Sequence, residues 1–303
     1  MIFKVEQSIN EAVKLKNSSN VSLCIKREDA IHNIISGNKY RKLKYNIEVA
    51  KSKKKTVLLT FGGAFSNHIA AVAAAGNVYG FKTIGVIRGE ELASKIDENT
   101  TLNYARNCGM VFKFVSRSDF RKKNDSNFIE ALKMEFGNFY VIPEGGTNSL
   151  AVKGCEEILL EEDYNFDYVC APVGTGGTLA GLINGSKSNQ QILGFSALKG
   201  DFLQEDISKF AKQNNWELVS NYHFGGYAKI NTDLITFINR FKTENKIQLD
   251  PIYTGKMMYG IVDMIKNNYF PEGSKILAIH TGGLQGIAGM NNRLKQKNLP
   301  LIQ

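Results

Sequence analysis

Lys39 follows the turn-forming run Ser36-Gly37-Asn38 and opens a stretch in which Tyr40, Leu43, Ile47 and Ala50 fall on one helical stripe. A lysine in the first turn of such a helix lies beside a buried face, at the positive end of the helix dipole, with Arg41 and Lys42 as neighbours. All three influences disfavour an ammonium and lower the pKa of the amine. An amine of that kind is what an imine-forming nucleophile needs. Most lysines are simply solvated, so the nucleophile reading requires a partner motif elsewhere in the chain.

The run VGTGGTLAGL (173–182) supplies one. Gly174, Gly176 and Gly177 let backbone approach an anion closely, and the amides of a helix start, aided by the Thr175 and Thr178 hydroxyls, would point at it. A phosphate fits this loop. The dinucleotide fingerprint G-x-G-x-x-G fails, because Leu179 occupies its last position, and no lysine follows to complete an ATP-binding loop. A second run, FGGAFSNHIAAVAAAG (61–76), breaks a strand at Gly62 and Gly63 and puts Ser66 and Asn67 at the N-cap of an alanine-rich helix. These two residues would cap the helix and could also face a ligand. His68 has no carboxylate partner in sequence and the G-x-S-x-G elbow is absent, which argues against a serine-hydrolase triad. A lysine nucleophile with a phosphate cradle is the minimal equipment for pyridoxal phosphate.

The elements that must position these residues alternate along the chain. TVLLTF (56–61), TIGVI (83–87), MVFKFV (110–115) and FYVIP (139–143) read as buried strands, separated by helical patterns at 66–80, 94–109 and 126–137. YVCAPVG (168–174), QILGFSA (191–197) and KILAIHTGG (275–283) form a second set. This alternation predicts an α/β fold with parallel sheets flanked by helices on both faces, and PEGGTNS (143–149) is the expected crossing between two units. Ligands bind beyond the carboxyl ends of such strands, and three glycine-rich strand ends suggest one shared crevice.

At 303 residues, 43% of them hydrophobic, the chain can bury a sizeable core and form two domains. Its net charge of +9 is spread along the sequence, and the densest run, Lys-Ser-Lys-Lys-Lys at 51–55, suits a solvated helix end better than a nucleic-acid surface. No stretch approaches a membrane span, and the charged start lacks a signal-peptide apolar core, so a cytoplasmic location is expected. Cys24, Cys108, Cys155 and Cys170 have no paired spacing and read as reduced thiols; with the four histidines equally scattered, a metal site is not expected.

The segment SGNKYRKLKYN (36–46) resembles the Gly-Gly-Asn-Lys-Thr-Arg-Lys-Leu-Glu segment of the D-cysteine desulfhydrase and 1-aminocyclopropane-1-carboxylate (ACC) deaminase family. The similarity continues in order through SNH (66–68), PEGGTN (143–148), GTGGTLAGL (174–182), DPIYTGKMMYGI (250–261) and IHTGG (279–283), covering nearly the whole chain. It implies a two-domain enzyme of fold type II (tryptophan synthase β-like) that uses pyridoxal 5'-phosphate. Residues 1–42 plus 151–303 would form the larger cofactor domain and 43–150 the smaller α/β domain. Carried over, Lys39 is the Schiff-base lysine. Lys42 and the loop of Gly174, Thr175, Gly176, Gly177 and Thr178 hold the phosphate, and Asn67 bonds the ring hydroxyl. Ser66 lies near the substrate carboxylate, Tyr253 flanks the ring, Tyr227 reaches the substrate and Thr281 bonds the pyridine nitrogen.

Two positions bear on the reaction. ACC deaminases carry Glu and Leu where this chain has Thr254 and Thr281, and a neutral hydroxyl makes a weaker electron sink than a carboxylate partner of the ring nitrogen. A weaker sink suffices for β-elimination, so the expected activity is that of a lyase acting on a D-amino acid such as D-cysteine. The rivals are an ACC deaminase or a serine-type dehydratase of the same fold. A dinucleotide-dependent oxidoreductase is disfavoured by Leu179 and a non-catalytic binding protein by Lys39. Phe65, Tyr40, Ser36, Ile69 and Ala70 depart from the family pattern, and Phe65 is expected to stand near the substrate end. The expected partners are a small amino-acid substrate and a second copy of the chain in a homodimer, with neither nucleic acid nor membrane.

Overall fold

The computed structural model describes residues 3–15, 20–200 and 202–303. The chain passes through β1 (Asn10–Ala12), β2 (Ser22–Lys26) and α1 (Asn38–Ser52). Next, β3 (Val57–Gly62), β4 (Lys82–Arg88), β5 (Met110–Val115) and β6 (Tyr140–Ile142) alternate with α2 (Asn67–Tyr79), α3 (Thr100–Asn107), α4 (Arg117–Arg121) and α5 (Ser126–Phe136). After α6 (Ser149–Glu156) come β7 (Tyr168–Val173), α7 (Gly177–Gly185), β8 (Gln191–Ser196), α8 (Phe202–Ser208) and β9 (Trp216–Val219). The last elements are α9 (Thr232–Asn245), α10 (Thr254–Lys266), β10 (Lys275–Ile279) and α11 (Gly286–Gln296).

Two sheets result. The smaller has the order β5-β4-β3-β6 and is parallel throughout. The larger has the order β1-β2-β10-β7-β8-β9, with only the β1–β2 edge antiparallel. Strand residues alternate between two covered faces, which is why the strands read as unbroken apolar runs. Along β7 and β10, Cys170, Ile276 and Ala278 join the core under α9 and α10, while Val169, Ala171, Val173, Leu277 and Ile279 join the core under α6 and α7. In the smaller sheet Leu59, Phe61, Ile84 and Val86 pack with α4 and α5, and Leu58, Met110 and Ile142 pack with α1, α2 and α3. Each Val, Leu, Ile, Phe or Met among them stabilises the fold by about 1.5–3 kcal/mol on burial.

All seven expected strands are present. The sequence pattern missed β1, β2 and β9, which are short or edge strands. Strand β2 ends in Lys26, fully buried because its ammonium pairs with Asp163 at 2.7 Å, a contact between residues far apart in sequence. The single helix expected at 94–109 is instead a 3-10 turn, Glu90–Lys95, followed by α3 with Asn99 as its cap. The four cysteines are free thiols. Among the described residues no helix is long and apolar enough to cross a membrane, and no group of three or more His, Cys, Asp or Glu is placed to hold a metal.

Candidate active site

The carboxyl ends of both parallel sheets open on one cavity of about 640 Å³. Gly63, Ser66 and Asn67 reach it from beyond β3, Arg88 from the end of β4, Gly174, Thr175, Gly176 and Thr178 from beyond β7 and Thr281 from β10. Lys39 and Lys42 reach it from the first turns of α1.

The turn before Lys39 depends on Gly37. Its φ of +55° suits glycine, and a Cβ there would fall 2.3 Å from the Thr281 carbonyl. This close approach brings α1 and the β10 loop to the same wall. Lys39 Nζ donates to Asn38 Oδ1 at 3.2 Å. Burial, and then the charge of Lys42, lower its pKa from 10.5 to about 7. The expected contribution of Arg41 is absent: its guanidinium turns away and grips the buried Glu28 carboxylate, with Nη2–Oε1 at 2.7 Å and Nε–Oε2 at 2.9 Å.

Lys42 Nζ donates to the Gly145 carbonyl at 3.0 Å, Thr147 Oγ1 at 3.1 Å and Thr175 Oγ1 at 3.5 Å. No carboxylate among the described residues pairs with it, and burial lowers its pKa to about 8. Beside it, α7 follows its N-cap Gly176, whose φ is +79° and which provides no side-chain cap for the first amides of the helix. Asn38 Nδ2 donates to Thr178 Oγ1 at 2.9 Å and so ties the lysine turn to this loop. A buried ammonium, helix-start amides and threonine hydroxyls converge with no anion of the chain among them, which is a donor set for a phosphate.

Ser66 caps α2 by accepting from Ile69 N at 3.3 Å. Asn67 Oδ1 accepts from Gln285 Nε2 at 2.7 Å, so its orientation is set from α11. Tyr227 and Tyr253 line the cavity with ring centroids 6.3 Å apart. Burial pushes Tyr227 up to about 12, partly offset by Arg88, and raises Tyr253 well above its ordinary value. Both stay protonated, so each keeps an O–H to donate and neither serves as a base. His68 is also neutral: burial, then Lys39 and Lys42, hold it well below its usual range. Its Nε2 meets Thr60 Oγ1 at 2.8 Å, and Thr60 in turn donates to the Ile142 carbonyl at 2.8 Å. Among the described residues no carboxylate completes a triad around it.

The structure thus brings Lys39, Lys42, Ser66, Asn67, Gly174, Thr175, Gly176, Thr178, Tyr227, Tyr253 and Thr281 to one cavity. Gly177 stands just behind, where an added Cβ would fall 2.8 Å from Thr147 Oγ1. Two expectations are corrected. Thr254 is fully buried outside the cavity, its hydroxyl donating to Asp250 Oδ1 at 2.6 Å, so it has no free group for a ligand. Phe65 does not face the substrate end: its ring packs at Gly289 with the Arg293 guanidinium 5.6 Å from its centre. Tyr40 and Ile69 are likewise outside, Tyr40 against Phe3 and Ile69 in the core.

Sequence reasoning also passed over three residues. Asp250 accepts from the amides of Ile252, Tyr253 and Thr254 at 2.8, 2.9 and 2.7 Å and so fixes Tyr253 at the start of α10. An Asp-Pro ahead of a helical pattern was the available signal. Gln285 and Arg88 had none, because their roles depend on partners distant in sequence.

A pyridoxal-phosphate dependent enzyme family model matches residues 7–282. A putative ACC deaminase of Pyrococcus horikoshii is 34% identical over 289 residues, covering 89% of this chain and 87% of that protein. A bifunctional D-cysteine desulfhydrase/ACC deaminase of Arabidopsis thaliana is 31% identical, covering 88% of this chain and 73% of that one. The crystal structure of an ACC deaminase homologue superposes with a TM-score of 0.79 at 31% identity, covering 91% of this chain and 88% of that one.

Proposed function

Because the chain belongs to the pyridoxal-phosphate dependent enzymes, we propose that this cavity is its cofactor site and that it eliminates a β-substituent from a small D-amino acid, D-cysteine foremost, releasing pyruvate, ammonia and sulfide. One observation carries the reading: a buried lysine with a pKa of about 7 shares its cavity with an anion-free cluster of phosphate donors. The residues fit the group. Lys39 is the amine for its aldehyde, and Lys42, Thr175, Thr178 and the Gly176–Gly177 amides are donors for its phosphate. Asn67, Tyr253 and Thr281 are left to the ring.

When bound, pyridoxal phosphate supplies an electron sink for a carbanion next to the amino group. Lys39 Nζ, its pKa lowered to about 7 by burial and then by Lys42, would be the base that accepts the α-proton of the substrate. Ser66 Oγ, at the start of α2, orients the substrate carboxylate. The protonated Tyr227 and Tyr253 hydroxyls donate to the departing side and to the ring edge without competing as bases. Leu198, Leu203 and Phe210 line the cavity and exclude water.

The preference for elimination over ring opening now rests on Thr281 alone, since Thr254 is committed to Asp250. ACC deamination is the second reading, favoured by the name of the Pyrococcus relative. Steady-state assays of the holoenzyme on D-cysteine, β-chloro-D-alanine, their L-forms and ACC separate the two. D-cysteine or β-chloro-D-alanine should give pyruvate with a kcat/KM well above that for ACC. ACC as best substrate would overturn the electronic argument, and faster L-forms would overturn the stereochemical one.

Gly176→Val tests the cradle. The substituted residue is strained at a φ of +79°, and its Cβ would meet Ile207 at 2.7 Å, so the loop must shift rather than the cradle fill. Equilibrium dialysis should give a cofactor affinity lower by at least tenfold, about 1.4 kcal/mol, with an unchanged far-UV spectrum. Full cofactor retention would return the loop to a packing turn.

A further inference from the structure

Arg88 is the last residue of β4, on the rim of the cavity that holds Lys39. Its guanidinium carbon lies 5.5 Å from the centre of the Phe120 ring, and Lys123 Nζ lies 5.3 Å from the same centre. Phe120 is therefore a platform for two cations, which an aromatic face holds by its quadrupole. Lys123 is paired with Glu144 at 3.3 Å, and Asp206, the other rim carboxylate, is paired with Lys209 at 2.8 Å. Arg88 has no carboxylate partner among the described residues. Gly63 stands beside it, where an added Cβ would lie in contact with Nη2 at 3.6 Å, and the Arg88 side chain is exposed at the rim. The charge of Arg88 also reaches Tyr227, which it pulls down against the effect of burial. The cavity thus has a second, separate cationic end, made of a planar fork suited to an oxyanion.

We propose that Arg88 binds an oxyanion on the substrate side chain, so that the substrates include, beside D-cysteine, β-substituted alanines that carry a phosphate ester, a sulfonate or a like oxyanion and expel it as phosphate, sulfite or its counterpart. The inference rests on the β-elimination reading above. In the step, the α-proton passes to Lys39 Nζ, the bond from Cβ to the substituent breaks, and the substituent departs with the bonding pair. Water then hydrolyses the released aminoacrylate to pyruvate and ammonia. No electron is gained from or lost to a third species. Negative charge on the departing group grows by one unit as the bond breaks, and a fixed guanidinium stabilises that growth.

The test compares an oxyanion substrate, O-phospho-D-serine, with a neutral one, β-chloro-D-alanine, on the holoenzyme. In Arg88→Gln the ratio of their kcat/KM values should fall at least tenfold, and in Arg88→Lys by less. An unchanged ratio, as equal losses on both would also produce, overturns the proposal. A binding arm does not depend on elimination: absorbance titration of the holoenzyme with D-aspartate and D-alanine, neither of which carries a β leaving group. Wild type should bind D-aspartate more tightly, and Arg88→Gln should lose at least tenfold of that preference. No preference in wild type, or one that survives in the variant, overturns the proposal. If neither serine-type substrate releases pyruvate while the aspartate preference behaves as stated, the elimination reading fails and the oxyanion site stands.

Discussion

Lys39→Ala is expected to lower turnover by on the order of 10³-fold or more and to remove the visible absorbance of the bound cofactor, even where the phosphate still binds. The wild-type protein should be yellow, and borohydride should bleach it and leave a pyridoxyl adduct on Lys39 by mass spectrometry. An adduct on Lys42 would reverse the two roles, which is a real contest, because both amines are buried and both are lowered, to about 7 and about 8. What separates them is bonding. Lys42 is engaged by Gly145, Thr147 and Thr175, whereas among the described residues Lys39 Nζ donates to Asn38 alone. Imine formation by the apoprotein should therefore rise with pH around a midpoint near 7 rather than near 10.5.

The same shift bears on stability. The folded-state value of Lys39 lies below its unfolded one, so between about 7 and 10.5 the unfolded chain binds the extra proton. The cost of burying the ammonium is thus full below pH 7 and is relieved as pH rises toward 10.5. Lys39→Met should stabilise the apoprotein at pH 6 by roughly 2–5 kcal/mol, with the gain fading between pH 7 and 10.5. Urea unfolding at pH 6 and at the top of that range reads this directly, and a gain independent of pH would refute the buried-ammonium account.

Asp250→Ala is expected to have the largest effect on stability. The carboxylate is almost wholly buried and accepts from three backbone amides and the Thr254 hydroxyl. Its removal strands four donors where water has little access. At about 1–3 kcal/mol per unsatisfied buried donor, with some re-pairing, a loss of about 3–5 kcal/mol follows. Asp250→Asn keeps one acceptor oxygen and should lose less. Tyr253 would also lose its anchor at the start of α10, so cofactor affinity should fall with stability. An Asp250→Ala protein as stable to urea as wild type would show that the amides find other partners.

Much of this site was legible before any coordinates. Runs of apolar residues marked seven strands because both faces of parallel sheets are covered, and period and length are local properties of a chain. The glycine loop at 174–178, the cap at Ser66 and the turn before Lys39 were legible for the same reason: their geometry is set by neighbours in sequence. The lowered Lys39 amine was expected from a buried helix face and neighbouring cations, and burial and then Lys42 are its causes.

The tertiary structure decided what the neighbours in space would be. Of the two flanking cations, Lys42 faces Lys39 while Arg41 turns to Glu28, a choice made by a buried carboxylate thirteen residues earlier. Thr254, read as a residue bearing on the ring nitrogen, and Phe65, read as near the substrate end, were drawn off by Asp250 and by the α11 surface. Arg88 looked like the charged end of a strand until Phe120 and Gly63 came to stand around it. Sequence by itself determined which backbone turns and helix starts exist. The direction and charge state of each side chain depend on desolvation and Coulomb forces between residues far apart in the chain, and only the packed fold sets those distances.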